Sequence, residues 1–232
     1  MRAKSGSRRR LRGGRLRARL ALQPGCALHT RAATRMRRDE LPELHYIAHL
    51  STLPSIQQLG ILSHNRAHGI AHVSVAMQEI QDRREGKVIP NGLPLHDYVN
   101  LYINARNPMM FKRHSQHEEL CVIRVSTRVL DLPDTVIADR NAARDLARFR
   151  PSPEGLEAID AKLVFARDWT HPNDWSQYQR HKGIMCSEVL VPYRVPPEYL
   201  DGVYCSCEAT RSAVSATSSL AVSSHPYLFF LA

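Results

Sequence analysis

The chain has 232 residues, 43% of them hydrophobic, and a formal net charge of +10. This suits one domain, or one domain with a tail, large enough to bury a core; no apolar run reaches the roughly 20 residues of a membrane span. Residues 1–38 carry 13 of the 32 Lys and Arg and none of the 22 Asp and Glu, leaving 19 basic against 22 acidic residues in the rest. The body is therefore no nucleic-acid binder by bulk charge, and any phosphate partner must be held by a local patch.

The basic run, Arg8-Arg9-Arg10-Leu11-Arg12 and Arg15 through Arg19, has no acidic partners. Such a run repels itself and is expected to be disordered. It reads as a nucleic-acid arm, as an arginine-rich transit segment, or as a stretch ahead of the true start, since Met36 sits just before the first patterned segment.

Residues 44–50 predict a strand. Residues 51–62 predict a capped helix, with Thr52 at the N-cap, Pro54 in the first turn, Leu53, Ile56 and Leu59 as the stripe, and Gly60 as the stop. Polar residues 63–69 read as a loop. Residues 73–84 predict a helix whose apolar stripe, Ala76, Met77 and Ile80, is thin. A helix this polar is either solvated or lines a site. Arg83 and Arg84 at its end are equally readable as a surface pair favoured by the helix dipole. Strands follow over 98–103 and 119–125, with an Asn107-Pro108 turn between them.

In the second half, 136–141 predicts a short strand ending in polar residues. Helices are expected over 142–149 and around Leu156, Ile159 and Leu163. Residues 169–182 are polar and read as a long loop, functional or mobile. It leads to Met185-Cys186-Ser187-Glu188-Val189-Leu190-Val191-Pro192, a strand with a carboxylate at its start. A further strand is expected at 203–204, a Ser/Thr/Ala-rich connector over 208–224, and a final core strand over 226–232.

The five cysteines, Cys26, Cys121, Cys186, Cys205 and Cys207, include no C-x-x-C pair. This suggests a reducing, cytoplasmic setting without a structural metal. His114, His117, Glu118 and Glu119 do not form the H-E-x-x-H zinc pattern, and no G-x-G-x-x-G lies in the body, which argues against Rossmann-type dinucleotide binding.

Six short segments, in order and spacing, resemble the DarT family, toxins that ADP-ribosylate DNA using NAD. They are Ile47-Ala48-His49-Leu50, Gln78-Glu79-Ile80-Gln81-Asp82-Arg83-Arg84, Leu95-His96-Asp97-Tyr98-Val99, Asn107-Pro108-Met109, Ala138-Asp139-Arg140 and Ser187-Glu188-Val189-Leu190-Val191. The resemblance covers roughly residues 43–205. It implies an α+β fold with an ADP-ribosyltransferase-like central split β-sheet flanked by short helices, one domain over 39–232, and a tail over 1–38. It implies Glu188 and Arg84 as catalytic residues. It further implies an NAD-binding surface over 46–63 and 68–86, with His45, Tyr46, Ile47, Ser55, Ser63 and Arg84 as contacts, and residues 139–188 as the segment that presents nucleic acid. NAD is then a substrate, no metal is needed, and the partners are single-stranded DNA and a macrodomain antitoxin. The family often has Tyr-His before the isoleucine; His45-Tyr46 here leaves open which ring meets the nicotinamide amide. Cys186 stands where alanine is common.

The chemistry fits the residue types. Cleaving the glycosidic bond of NAD builds positive charge on the ribose, which a carboxylate bonded to the 2′-hydroxyl stabilises. A guanidinium can hold the pyrophosphate with two parallel hydrogen bonds, as a lysine cannot. Trp169, Trp175 and Tyr178 read either as stacking platforms for bases or as core anchors. Two other readings stay open: a related-fold transferase acting on RNA, and a non-catalytic nucleic-acid-binding protein led by the basic tail.

Overall fold

The computed structural model describes residues 35–70 and 72–231. In chain order the strands and helices are β1 (Leu44–His49), α1 (Leu53–Leu59), β2 (Ile61–Leu62), α2 (His64–Ala67), α3 (Gln78–Glu85), β3 (Tyr98–Tyr102), α4 (Pro108–Lys112), β4 (Leu120–Val125), β5 (Val136–Ala138), β6 (Phe149–Pro151), α5 (Ala161–Val164), α6 (Trp175–Ile184), β7 (Glu188–Pro192), β8 (Arg194–Val195), β9 (Leu200–Cys205), α7 (Glu208–Ser215) and β10 (Val222–Ser224). Eight strands form one mixed sheet in the order β10-β9-β4-β1-β3-β7-β5-β6, and β2 and β8 form a small second ladder.

The main sheet is nearly divided in two. β1 meets β4 through six register pairs but meets β3 through a single one, His45 with Tyr102. On the far side of that seam β3 and β7 pair over five residues. This is the split sheet expected from the sequence. Both faces are covered. Leu44, Ala48, Leu101, Ile123, Val189 and Val191 pack on one, and Ile47, Tyr102, Val122 and Phe229 on the other. Burial on both sides is why β7 reads as an unbroken apolar run after Glu188.

The α1 boundaries follow the sequence signals, though not every mechanism. Gly60 ends the helix at φ +78°, and a Cβ there would run into the Val195 carbonyl oxygen. Thr52 holds the N-cap position, but its hydroxyl donates back to the His49 carbonyl at 2.7 Å rather than capping.

Other expectations are corrected. Residues 73–77 are not helical; α3 begins at Gln78, because a stripe of three apolar residues gives no face to bury. Asn107-Pro108 starts a helix instead of a turn: the Asn107 side chain accepts from the Met109 and Met110 amides at 2.9 and 3.1 Å, and Pro108 takes the first helical position. Residues 63–69 hold α2. Residues 142–149 are not helical: 142–146 form turns that lead into β6, fixed where the Asn141 side chain accepts from the Ala143 amide at 2.9 Å. The expected helix near 156–163 is a 3-10 turn over Glu154–Ala158 and the short α5, whose cap is Asp160. The long loop at 169–182 contains α6, capped by Asp174 on the Gln177 amide at 2.8 Å. The 208–224 connector contains α7 and β10. Residues 226–229 form a 3-10 turn, not a strand, that still buries Leu228 and Phe229.

Residues 35–38, read from the sequence as part of the tail, belong to the folded body. Met36 is buried and its amide donates to the Ile159 carbonyl at 3.1 Å; Arg38 grips Asp131 with two bonds of 2.6 and 2.5 Å. The Arg8–Arg12 and Arg15–Arg19 runs lie outside the described residues. Among the described residues no helix is long and apolar enough to cross a membrane.

Candidate active site

Glu188 is the first residue of β7, level with Tyr102 of β3 on one side and Ala138 of β5 on the other. Its position is locked from behind. The Ser187 hydroxyl donates to the Ile184 carbonyl at 2.6 Å and lies 2.8 Å from the Asp139 carbonyl, tying the end of α6 and the end of β5 to the strand start. The Glu188 side chain is fully buried.

Arg84, 104 residues earlier, meets it: Nη1 donates to Glu188 Oε2 at 3.3 Å, and Arg84 is itself 6% exposed. Neither Arg84 Nη2 nor Glu188 Oε1 has a hydrogen-bond partner among the described residues. Burial raises the Glu188 carboxyl above the ordinary glutamate value, opposed by the Arg84 charge and, more weakly, by the Ala142 amide and Lys87. The buried Tyr102 hydroxyl is likewise pushed up, first by burial and then by the Glu188 charge.

Arg84 forms part of the wall of a cleft of about 420 Å³ that runs along the seam between the two halves of the sheet. β1 contributes Tyr46, Ile47, Ala48 and His49, α1 contributes Ser55 and Ile56, β3 contributes Tyr98, Asn100 and Tyr102, and α6 contributes Gln179 and Lys182. Glu188 lies beneath this lining, covered by the Arg84 guanidinium. Arg84 is the sole buried residue of α3, so the helix carrying it is held by little apolar packing. Among the described residues no group of three or more His, Cys, Asp or Glu side chains is placed to hold a metal ion.

Of the residues the sequence singled out, Tyr46, Ile47, Ser55 and Arg84 line the cleft, with Glu188 directly behind Arg84. His45 is not brought there. Its Nε2 lies 3.2 Å from Glu43 Oε1, and it lines a separate cavity of about 330 Å³. Ser63 is buried at the start of α2 and does not line the cleft either. The ring that faces the cleft at the His45-Tyr46 pair is therefore Tyr46.

Sequence reasoning missed Asn100, Arg144, Gln179, Lys182 and His64 in the cleft wall. Asn100 carried a signal, a polar residue inside an apolar strand. Arg144 carried none: it lay in an expected helix, whereas it packs over Gly183 and donates to Gln179 Oε1 at 3.1 Å. The His64 ring lies 4.2 Å from the His96 ring, and burial together with nearby His68, His72 and Arg84 lowers its pKa.

A splayed mixed sheet, a glutamate at the start of a central strand and a guanidinium over it at the mouth of the seam define an ADP-ribosyltransferase-type fold. A family model described as "ssDNA thymidine ADP-ribosyltransferase, DarT" matches residues 45–229, and the chain belongs to the DarT family. It is 27% identical over 200 residues to a DNA ADP-ribosyl transferase-DNA ADP-ribosyl glycohydrolase fusion protein of Thermosipho africanus, covering 82% of this chain and 50% of that protein. It is 30% identical over 146 residues to a DNA ADP-ribosyl transferase of Thermus aquaticus, covering 58% and 65%. The chain thus spans about half of the first relative and about two thirds of the second. Among solved structures, Thermosipho africanus DarTG in complex with ADP-ribose superposes with a TM-score of 0.70 at 26% identity, over 82% of this chain and 51% of that one. Thermus sp. 2.9 DarT in complex with ADP-ribosylated ssDNA gives 0.71 at 22% identity, over 84% and 99%, a likeness of fold.

Proposed function

We propose that this chain transfers ADP-ribose from NAD to the thymine base of thymidine in single-stranded DNA and releases nicotinamide. The observation that carries the reading is the buried Arg84–Glu188 pair under the cleft, with one unsatisfied atom on each partner. The family description and the relatives' activities support it.

In this reading NAD lies along the seam. Tyr46, Ile47, Ser55 and Arg84 hold it, while His45 and Ser63 support β1 and α2 from behind. Arg84 swings from Glu188 onto the pyrophosphate, which the weak anchoring of α3 permits, and the uncovered Glu188 accepts from the ribose 2′-hydroxyl. The bond between ribose C1′ and the nicotinamide nitrogen breaks, its electron pair leaving with nicotinamide. The cation left on the ribose is stabilised by Glu188. A ring nitrogen of thymine attacks C1′ and gives up its proton to water. Arg84, with a pKa above about 12, is an electrostatic clamp here and not the base that takes that proton. A base inside a duplex is out of reach, so the substrate is unpaired.

The same reading makes the folded body, residues 35–232, a single catalytic domain acting in the cytoplasm as the toxin of a toxin–antitoxin pair, countered by a macrodomain glycohydrolase. The glycohydrolase fused to the Thermosipho relative supports that partner. The deciding experiment is mass spectrometry of single-stranded DNA and RNA oligonucleotides incubated with the protein and NAD. One ADP-ribose on thymine-containing DNA is expected. Modification of RNA alone, or of DNA lacking thymine, overturns the assignment.

A further inference from the structure

The two tryptophans, equivalent in sequence terms, have separate fates. Trp169 is 9% exposed and packs edge-on against Phe111 and Phe230, with ring centroids 5.6 and 5.8 Å away. Trp175 is 73% exposed at the first turn of α6. Its ring lies 5.3 Å from that of Tyr178, and Lys182 Nζ lies 5.4 Å from the Tyr178 ring. Residues 175, 178 and 182 are three and four apart, so they share one face of the helix. Lys182 at the end of that face, with Gln179 beside it, lines the cleft.

The helix is not free to turn this face inward. Its opposite side buries His181, Gly183 and Ile184; the His181 ring is 2.9 Å from the Leu163 carbonyl, and Arg144 lies over Gly183. α6 contains no acidic residue, and Lys182 is the charge on this face. The face is therefore aromatic and basic, and continuous with the cleft. A nucleobase stacked on an aromatic ring with its phosphate near a lysine matches each of these properties.

We propose that Trp175, backed by Tyr178, stacks the base of a nucleotide adjacent to the modified thymidine, so that α6 sets the register of the strand in the cleft. The seven helical steps from Trp175 to Lys182 rise about 10 Å, which places the stacked base one or two nucleotides from the target. This rests on the transfer reading above.

The test uses steady-state transfer to a single-stranded oligonucleotide with one thymine, in parallel with oligonucleotides made abasic at each neighbouring position. Trp175→Ala should raise the KM for DNA roughly 5- to 100-fold, with the KM for NAD and the kcat at saturating DNA within about twofold. Trp175→Phe should restore most of the loss. An abasic site one or two nucleotides from the thymine should weaken the wild type as Trp175→Ala does, and add nothing further in that variant. An unchanged KM for DNA in Trp175→Ala, or abasic and protein effects that simply add, overturns the platform. Should the wild type modify no DNA at all, the transfer reading falls separately. Binding then decides: fluorescence quenching by an oligonucleotide, present in wild type and lost in Trp175→Phe, keeps the platform, and equal quenching in both removes it.

Discussion

Among the described residues two glutamates are buried, one beside the sheet and one within it, and their surroundings differ in kind. Glu43, just before β1, is 9% exposed and well satisfied: Arg124 Nε donates to Oε2 at 2.6 Å and the His45 ring lies 3.2 Å from Oε1. Burial pushes its pKa up, but bonds with His45, Arg124 and Tyr204 outweigh that and bring it down to about 2. Glu188 is fully buried with one contact at 3.3 Å, one oxygen unsatisfied and a pKa raised by that burial. On the proposed mechanism the difference separates a structural charge from a reactive one. Glu43 has its partners in the fold, whereas the free oxygen of Glu188 is left for the ribose 2′-hydroxyl.

The largest effect that sharpens this contrast is on turnover. Glu188→Gln keeps the shape and removes the charge, so kcat for ADP-ribose transfer should drop at least about 10²- to 10³-fold, while the protein stays folded by circular dichroism. A kcat near wild type would make Glu188 another Glu43. Next, Arg84→Lys retains the charge but loses the fork that holds the pyrophosphate with two parallel hydrogen bonds, and kcat/KM for NAD should fall about tenfold or more. Retention of most activity would show that a point charge suffices.

The reverse substitution probes the other region. Glu43→Gln should leave kcat within about twofold and cost about 1–3 kcal/mol of stability at pH 7 in denaturant unfolding, because hydrogen bonds to a charged acceptor are weakened. A carboxylate with a depressed folded-state pKa contributes stability above its unfolded value near 4.5, and that contribution is lost as pH falls through about 2. The gap between Glu43→Gln and wild type should therefore close on acidification. Glu188 has the opposite sign. Its raised pKa contributes stability below about 4.5 that is lost as pH rises through the folded value, so Glu188→Gln should gain on wild type as pH rises.

The smallest effect is the position of the acid limb of the pH–rate profile. The proposed mechanism requires ionised Glu188, so the limb should lie above the ordinary glutamate value. Arg84→Gln, which removes the charge that opposes the rise, should move the residual limb further up. A limb at or below pH 4.5 in wild type would mean that Glu188 is solvated in the working enzyme.

The sequence by itself determined the strands that make the floor of the site and the place of Glu188 on one of them. Residues 44–50, 98–103, 119–125 and 188–192 carry local β-branched and aromatic patterns strong enough to set β1, β3, β4 and β7, and Gly60 set the end of α1 through a backbone angle that glycine adopts readily. The helices were less legible. α3 and α6 lack a wide apolar stripe, and α6 is fixed by the Asp174 cap and by contacts of His181 and Gly183 with distant segments. Only the tertiary structure decided that β1 and β3 share one pair, that Tyr46 and not His45 lines the cleft, that Arg84 closes over Glu188, and that Trp169 is core while Trp175 is surface. The physical reason is range. Periodicity records what a residue does to its neighbours within a turn or a pleat, whereas burial of an isolated charge or ring depends on segments that the chain brings together from as far as 104 residues away, as for Arg84 and Glu188.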